Sequence, residues 1–134
     1  MREPVESTLR VRYAETDQMG VVYYANYFTY FEVGRVEWSK ACGFNYRDME
    51  REDGAMLVVA EARCRYRAPA RFDDLLRIRT SLKHARRNLI AFAYEVVNAE
   101  TGQLLATGET LHFVTGPDLQ PRPLPQKYRA LFGM

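Results

Sequence analysis

Residues 23–41 read YYANYFTYFEVGRVEWSKA, and their spacing decides the fold. Tyr24, Tyr27, Phe31, Gly34, Trp38 and Ala41 recur at intervals of three and four, with Tyr23 and Tyr30 flanking the stripe. Asn26, Thr29, Glu37 and Lys40 fall on the other side, with Glu32, Arg35 and Ser39 nearby. This is the period of one long amphipathic helix. Gly43, just past Cys42, supplies its C-terminal stop. The apolar stripe is aromatic and wide, which predicts a deeply placed helix. Gly34 within it costs about 1 kcal/mol of helix propensity, and close approach of the helix backbone to a sheet is a reason to tolerate it.

The rest of the chain supplies that sheet. Before the helix, residues 7–13 (STLRVRY) alternate, with Leu9, Val11 and Tyr13 against Thr8, Arg10 and Arg12, as in a half-buried strand. After it comes a polar linker, residues 44–54, and then four alternating runs. The first sets Val58, Ala60, Ala62, Cys64 and Tyr66 against Glu61, Arg63, Arg65 and Arg67. The second sets Leu76, Ile78, Thr80 and Leu82 against Arg77, Arg79, Ser81 and Lys83. The third puts Ile90, Phe92, Tyr94 and Val96 on one face. The fourth sets Leu105, Leu111 and Phe113 against Leu104, Ala106, His112 and Val114. The turns APARFDD, HARRN and NAETGQ are short, which favours an antiparallel meander. A Pro-rich tail leads to a short helix near 126–132. One helix and one sheet each have a single face to bury, so an α+β fold is expected, an antiparallel sheet wrapped around a long central helix. Nothing divides residues 1–134, and a single domain is expected.

Composition narrows the function. The 134 residues are 47% hydrophobic and 27% charged, as in soluble globular proteins. The net charge of +2 does not by itself argue for nucleic acid and leaves room for small anionic ligands. Cys42 and Cys64 form neither a disulfide framework nor a zinc motif, and reduced thiols of a cytoplasmic protein are the expectation. His84 and His112 have no carboxylate spacing that suggests a metal site. The first residues lack the apolar core of a signal peptide, and no run is long enough to insert into a membrane. No GxSxG motif occurs, which excludes an α/β-hydrolase esterase.

The loop before the helix, residues 13–27 (YAETDQMGVVYYANY), carries the chemistry. Asp17 stands outside the helix, and Gly20 lets the loop bend back. The first turn of a helix exposes unpaired N–H groups and partial positive charge, a ready polariser for a carbonyl. On pattern alone Asp17 reads first as a turn or capping residue, and second as a carboxylate facing that helix start. Glu15 is the rival carboxylate and reads as a solvated loop residue; Asn26 reads as a polar residue of the first turn.

VRYAETDQMGVVYYANYFTYFE resembles the signature of the 4-hydroxybenzoyl-CoA thioesterase family of hotdog-fold proteins. YRAPARFDDLLRIRT and YEVVNAETGQLLATGET are also similar to that family, most of all to its Tol-Pal-associated acyl-CoA thioesterases, and the likeness runs from about residue 7 to 125. The specific element is Tyr-x-x-x-Asp-x-x-Gly-Val-Val-Tyr. The resemblance implies a hotdog fold, paired subunits whose sheets join, active sites at the subunit interface, no metal, and no cofactor beyond the CoA of the substrate. It places the catalytic carboxylate on Asp17 and the oxyanion donor on the backbone N–H of Tyr24. Tyr24 stands where many Tol-Pal-associated members carry His, whereas the hydroxybenzoyl enzymes have an aromatic residue there.

Tyr13 is expected to orient Asp17 or line the pocket; Gly20, Val21 and Val22 to wall the acyl group; Tyr23, Tyr27 and Phe31 to shape its pocket. Arg86 and Arg87, in the turn between the third and fourth strands, are expected to meet the CoA phosphates, since a planar guanidinium matches phosphate oxygens. The expected activity is hydrolysis of an acyl-CoA thioester to free acid and CoA, with Asp17 as nucleophile or general base. The alternatives are an aromatic substrate (hydroxybenzoyl- or dihydroxynaphthoyl-CoA), an acyl-carrier-protein ester, and a non-catalytic acyl-CoA-binding module. A homo-oligomer, a tetramer built of dimers, is the expected assembly.

Overall fold

The computed structural model describes residues 3–134. Its elements are β1 (Val5–Arg10), α1 (Asn26–Cys42), α2 (Tyr46–Asp53), β2 (Met56–Tyr66), β3 (Leu75–Arg86), β4 (Leu89–Asn98), β5 (Leu104–Thr115) and α3 (Gln126–Arg129), which runs into a 3₁₀ turn at Ala130–Phe132. The five strands form one antiparallel sheet in the order β1-β3-β4-β5-β2.

The aromatic stripe settles the packing. Tyr27, Tyr30, Phe31, Gly34, Trp38, Ser39 and Cys42 of α1 are buried. Phe31 stacks flat on Tyr94 of β4 at 4.4 Å. Trp38 packs edge-on against Phe92 at 5.1 Å, and Phe132 of the tail closes over it at 5.2 Å. Gly34 lies so close to β3 that a Cβ there would collide with Thr80 and Ile78. This is the close helix–sheet approach that offsets its poor helix propensity. Gly108 of β5 likewise leaves room for the Phe31 ring.

Several boundaries differ from expectation. The first strand is Val5–Arg10, not 7–13: Val11 still pairs with Asp74, but the chain then turns through a 3₁₀ segment at Tyr13–Glu15. The helix starts at Asn26, so residues 23–25 form the turn that leads into it. It ends at Gly43 with φ +93°, the left-handed stop the glycine predicts. The polar linker holds a helix of its own, α2, capped by the Asn45 side chain and pinned by the buried Met49. The four later strands are not a simple meander: β3, β4 and β5 are, but β2 pairs with β5 and forms the far edge. Alternation shows that a strand has one buried face; it does not choose the neighbour. A bulge between Val59 and Glu61 also switches the face of β2. Leu57 and Val59 lie opposite the buried Val114 and His112, while Ala62, Cys64 and Tyr66 continue that face beyond the bulge.

Candidate active site

Backbone geometry forces the loop before α1 into a closed turn. Tyr23 N–H donates to Glu15 O at 2.9 Å, and Asp17 N–H to Val21 O at 2.9 Å. Gly20 N–H donates back to Asp17 O at 2.9 Å, with Gly20 at φ +79°. Left-handed backbone of this kind favours glycine. The turn is tied to the connection between β2 and β3, because Val22 N–H donates to Ala70 O at 2.8 Å. Asp17 Oδ1 accepts the Met19 N–H at 2.9 Å; among the described residues its other oxygen has no partner.

Glu15 is not the solvated residue expected from pattern. It is only 9% exposed. Its carboxylate accepts from the Arg12 backbone and Nε, both at 2.9 Å, and from the Tyr30 hydroxyl at 2.9 Å. Burial works to raise its pKa, but the Arg12 and Tyr30 hydrogen bonds outweigh it and hold the carboxyl below its usual range. Asn26 Nδ2 donates to the Glu15 carbonyl at 2.8 Å, so this first-turn residue clamps the loop to the helix. Glu15 is therefore spent on architecture, and Asp17 is left available.

The helix start supplies the second half of the site. Asn26, Tyr27 and Phe28 donate their amides to Tyr23, Tyr24 and Ala25. The amides of Tyr24 and Ala25 find no acceptor among the described residues, as expected ahead of the first turn. Asp17 and Tyr24 line one cavity of about 340 Å³.

Of the expected site residues, Val21, Val22 and Tyr27 also line this cavity. Burial raises the pKa of the Tyr27 phenol. Gly20 shapes the turn without lining the cavity, and Tyr23 packs against Tyr24 at 4.7 Å from outside it. Tyr13 points away: it is 77% exposed and packs edge-on against Phe72 at 5.5 Å. The chain leaves the sheet before Tyr13, which removes the strand parity that would have turned it inward. Phe31 is buried under Gly108 as core. Arg86 and Arg87 lie at the opposite end of β3 from Leu75, which pairs with Arg10, about 35 Å along the strand. Within one chain they do not reach the cavity; the Arg87 carbonyl instead accepts the Leu124 N–H of the tail at 3.0 Å.

Residues beyond that expectation complete the walls: Met19 and the run Tyr66, Arg67, Ala68 and Pro69 at the end of β2. Pro69 was their legible signal, since it cannot continue a strand and forces the chain to turn where the cavity opens. A depression of about 710 Å³ on the outer sheet face is lined by Arg63, Arg65, Arg79, Glu95 and Glu109, without Asp17.

With this geometry in view, likeness to known proteins is informative. A profile of the thioesterase-like superfamily matches residues 11–132. Acyl-CoA thioester hydrolase YbgC of Escherichia coli O6:H1 is 37% identical over 125 residues, 92% of each chain. The crystal structure of a DHNA-CoA thioesterase from Staphylococcus aureus superposes with a TM-score of 0.92 at 30% identity, covering 97% of this chain and 89% of that one. The structure of 4-hydroxybenzoyl CoA thioesterase from Pseudomonas sp. strain CBS-3 shares the fold, with a TM-score of 0.86 at 22% identity over 97% and 99% of the two chains. A family-wide profile over most of the chain, laid on a sheet wrapped around α1, places the chain in the thioesterase-like superfamily, as an enzyme of the hotdog fold.

Proposed function

We propose that the Asp17 cavity hydrolyses acyl-CoA thioesters to a free acid and CoA, the activity named for the 37% identical E. coli relative. The observation that carries the reading is one cavity lined by a carboxylate with an oxygen unpartnered among the described residues and by Tyr24, in the turn that leads into the helix. The thioester oxygen becomes negative as the carbonyl carbon is attacked, and a preorganised amide at a helix start meets that charge. Asp17 acts on the carbon in one of two ways. It adds directly, expelling the CoA thiolate and leaving a mixed anhydride that water opens, or it takes a proton from the water that adds. Both routes place hydroxyl on the acyl carbon and a proton on sulfur. Beyond the substrate's own CoA, the scheme uses only protein groups and water.

The walls favour an aromatic or short acyl group. Tyr24, Tyr27 and Tyr66 present rings around a cavity near the small end of the range for ligand pockets, about 300–1,000 Å³. The S. aureus structure that superposes at 30% identity is itself a DHNA-CoA thioesterase. An acyl-carrier-protein ester is the second carrier to try, because Arg67, which lines the cavity, and Arg65, on the outer sheet face, have no side-chain partner among the described residues and would suit an acidic protein.

The assembly we favour is a homo-oligomer joined along β2, a free edge that exposes Val58, Val59 and Tyr66. Since Arg86 and Arg87 do not reach the cavity within one chain, a role for them at the CoA requires that they come from another copy. A cytoplasmic location fits Cys42 and Cys64 as reduced cysteines, joined in no disulfide. No helix among the described residues is long and apolar enough to cross a membrane.

The test is hydrolysis of acetyl-, palmitoyl- and 4-hydroxybenzoyl-CoA by the wild type and Asp17→Asn. Asn keeps size and loses the base, so kcat should fall about 10³-fold with substrate binding retained. Undiminished hydrolysis by Asp17→Asn would remove the mechanism, and binding without turnover by the wild type would mark an acyl-CoA-binding module.

A further inference from the structure

We infer that Tyr66 is a positioning residue for the reaction: its hydroxyl holds the helix-start turn by the Tyr24 carbonyl and so aims the Tyr24 amide at the substrate oxygen. The Tyr66 O–H donates to Tyr24 O at 2.9 Å. Among the described residues the only other donor to that carbonyl is the Tyr27 N–H, at a long 3.4 Å. Tyr24 therefore sits just ahead of the first regular helical bond and is held mainly from the sheet. The Tyr66 ring is fixed in turn, edge-on to Tyr27 at 5.2 Å and to Tyr24 at 6.3 Å. Its position as the last residue of β2, paired with the buried Ala106, ties the turn to the strand that ends at the cavity.

The bond has an electronic consequence as well. The Tyr24 carbonyl and the Ala25 N–H belong to one conjugated peptide plane. A hydrogen bond donated into the carbonyl draws electron density toward oxygen and makes the N–H at the other end a stronger donor. The Ala25 amide has no acceptor among the described residues, so this adds positive potential beside the Tyr24 N–H. Donation requires a neutral phenol. Burial, and the neighbouring Cys64 thiol after it, raise the pKa of Tyr66, which keeps the proton in place through the working range.

This inference rests on the proposed thioesterase reading, and the experiment separates the two. Tyr66→Phe keeps the ring and deletes the bond. It should lower kcat about tenfold, less than the loss of a whole oxyanion donor, with KM within about twofold and an unchanged melting curve. A residue that is merely part of the wall would move KM instead. A second readout is independent of turnover. In an Asp17→Asn background, the thioester carbonyl stretch of the best substrate of the panel should shift to lower frequency on binding, and adding Tyr66→Phe should shrink that shift. Wild-type kcat in Tyr66→Phe, with Asp17→Asn inactive, overturns the role of Tyr66 and leaves the thioesterase reading standing. An unchanged carbonyl shift does the same. An active Asp17→Asn overturns the parent reading whatever Tyr66 does.

Discussion

Glu15 and Asp17 stand two residues apart in one loop, and the chain treats them in opposite ways. Glu15 is buried, paired with Arg12 and bonded by Tyr30. Asp17 lines the cavity and has, among the described residues, one local backbone partner and an unpartnered oxygen. The loop's 3₁₀ turn makes the difference: it brings Glu15 under the helix start and carries the chain back to the surface at Asp17. A carboxylate with all its lone pairs occupied is a fastener; one with an unoccupied oxygen beside an apolar wall is available for chemistry.

The comparison breaks most visibly at Asp17. Asp17→Asn should cost about 10³-fold in kcat and little stability, because its single side-chain bond closes an exposed turn. Glu15→Ala should do the reverse. It leaves the Tyr30 hydroxyl without its acceptor and frees Arg12, so urea unfolding should report a loss of about 2–3 kcal/mol, with kcat near wild type in the fraction that stays folded. A stable, inactive Glu15→Ala would exchange the two roles.

Acid sharpens the same contrast from the core. His112 is buried against Thr110, and burial, with Arg35 adding to it, lowers its pKa to about 4. An unfolded His titrates near 6.5. Between these values the unfolded chain binds a proton that the folded chain refuses, so stability falls as pH drops through that window and levels off below it. The full loss is at most roughly 3 kcal/mol. Glu15 works in a lower range: its folded pKa is depressed, so its contribution is intact above the usual carboxylate pKa and fades only as pH falls through the folded value. Urea titrations at pH 7, 5.5 and 4.5 should show a slope that His112→Gln flattens and that a wild-type Glu15 does not account for.

The smallest effect is expected at the far end of β3. Replacing both Arg86 and Arg87 with Ala should raise KM for acyl-CoA about two- to fivefold and leave kcat unchanged, as for an exposed phosphate contact made across copies. An unchanged KM would assign the pair to the turn and to the tail contact at Leu124.

The helix was legible because its stripe repeats over four turns, and Gly34 and Gly43 carried their reasons in their positions. That Asp17, Val21, Val22, Tyr24 and Tyr27 line one cavity was legible because they are close in sequence and share one loop and one helix start. Tyr66, Arg67, Ala68 and Pro69 were legible only as a strand end and a turn, not as walls of that cavity, because they arrive from a strand some 40 residues later. Tyr13 differs from expectation because strand parity assigns faces only while the strand lasts, and it ends at Arg10. Glu15 differs because the contacts that bury it come from Arg12 and from Tyr30 on the helix, which a loop carboxylate does not announce.

What the sequence determined by itself was the set of periodic elements and the local chemistry of one loop, since side-chain spacing and turn residues act over a few positions. Tertiary structure decided which edge β2 occupies, which of two neighbouring carboxylates is spent on the fold, and that a tyrosine from the sheet grips the start of the helix. Those outcomes depend on contacts between segments far apart in the chain, where the gain is shared burial and hydrogen bonding that no local pattern encodes.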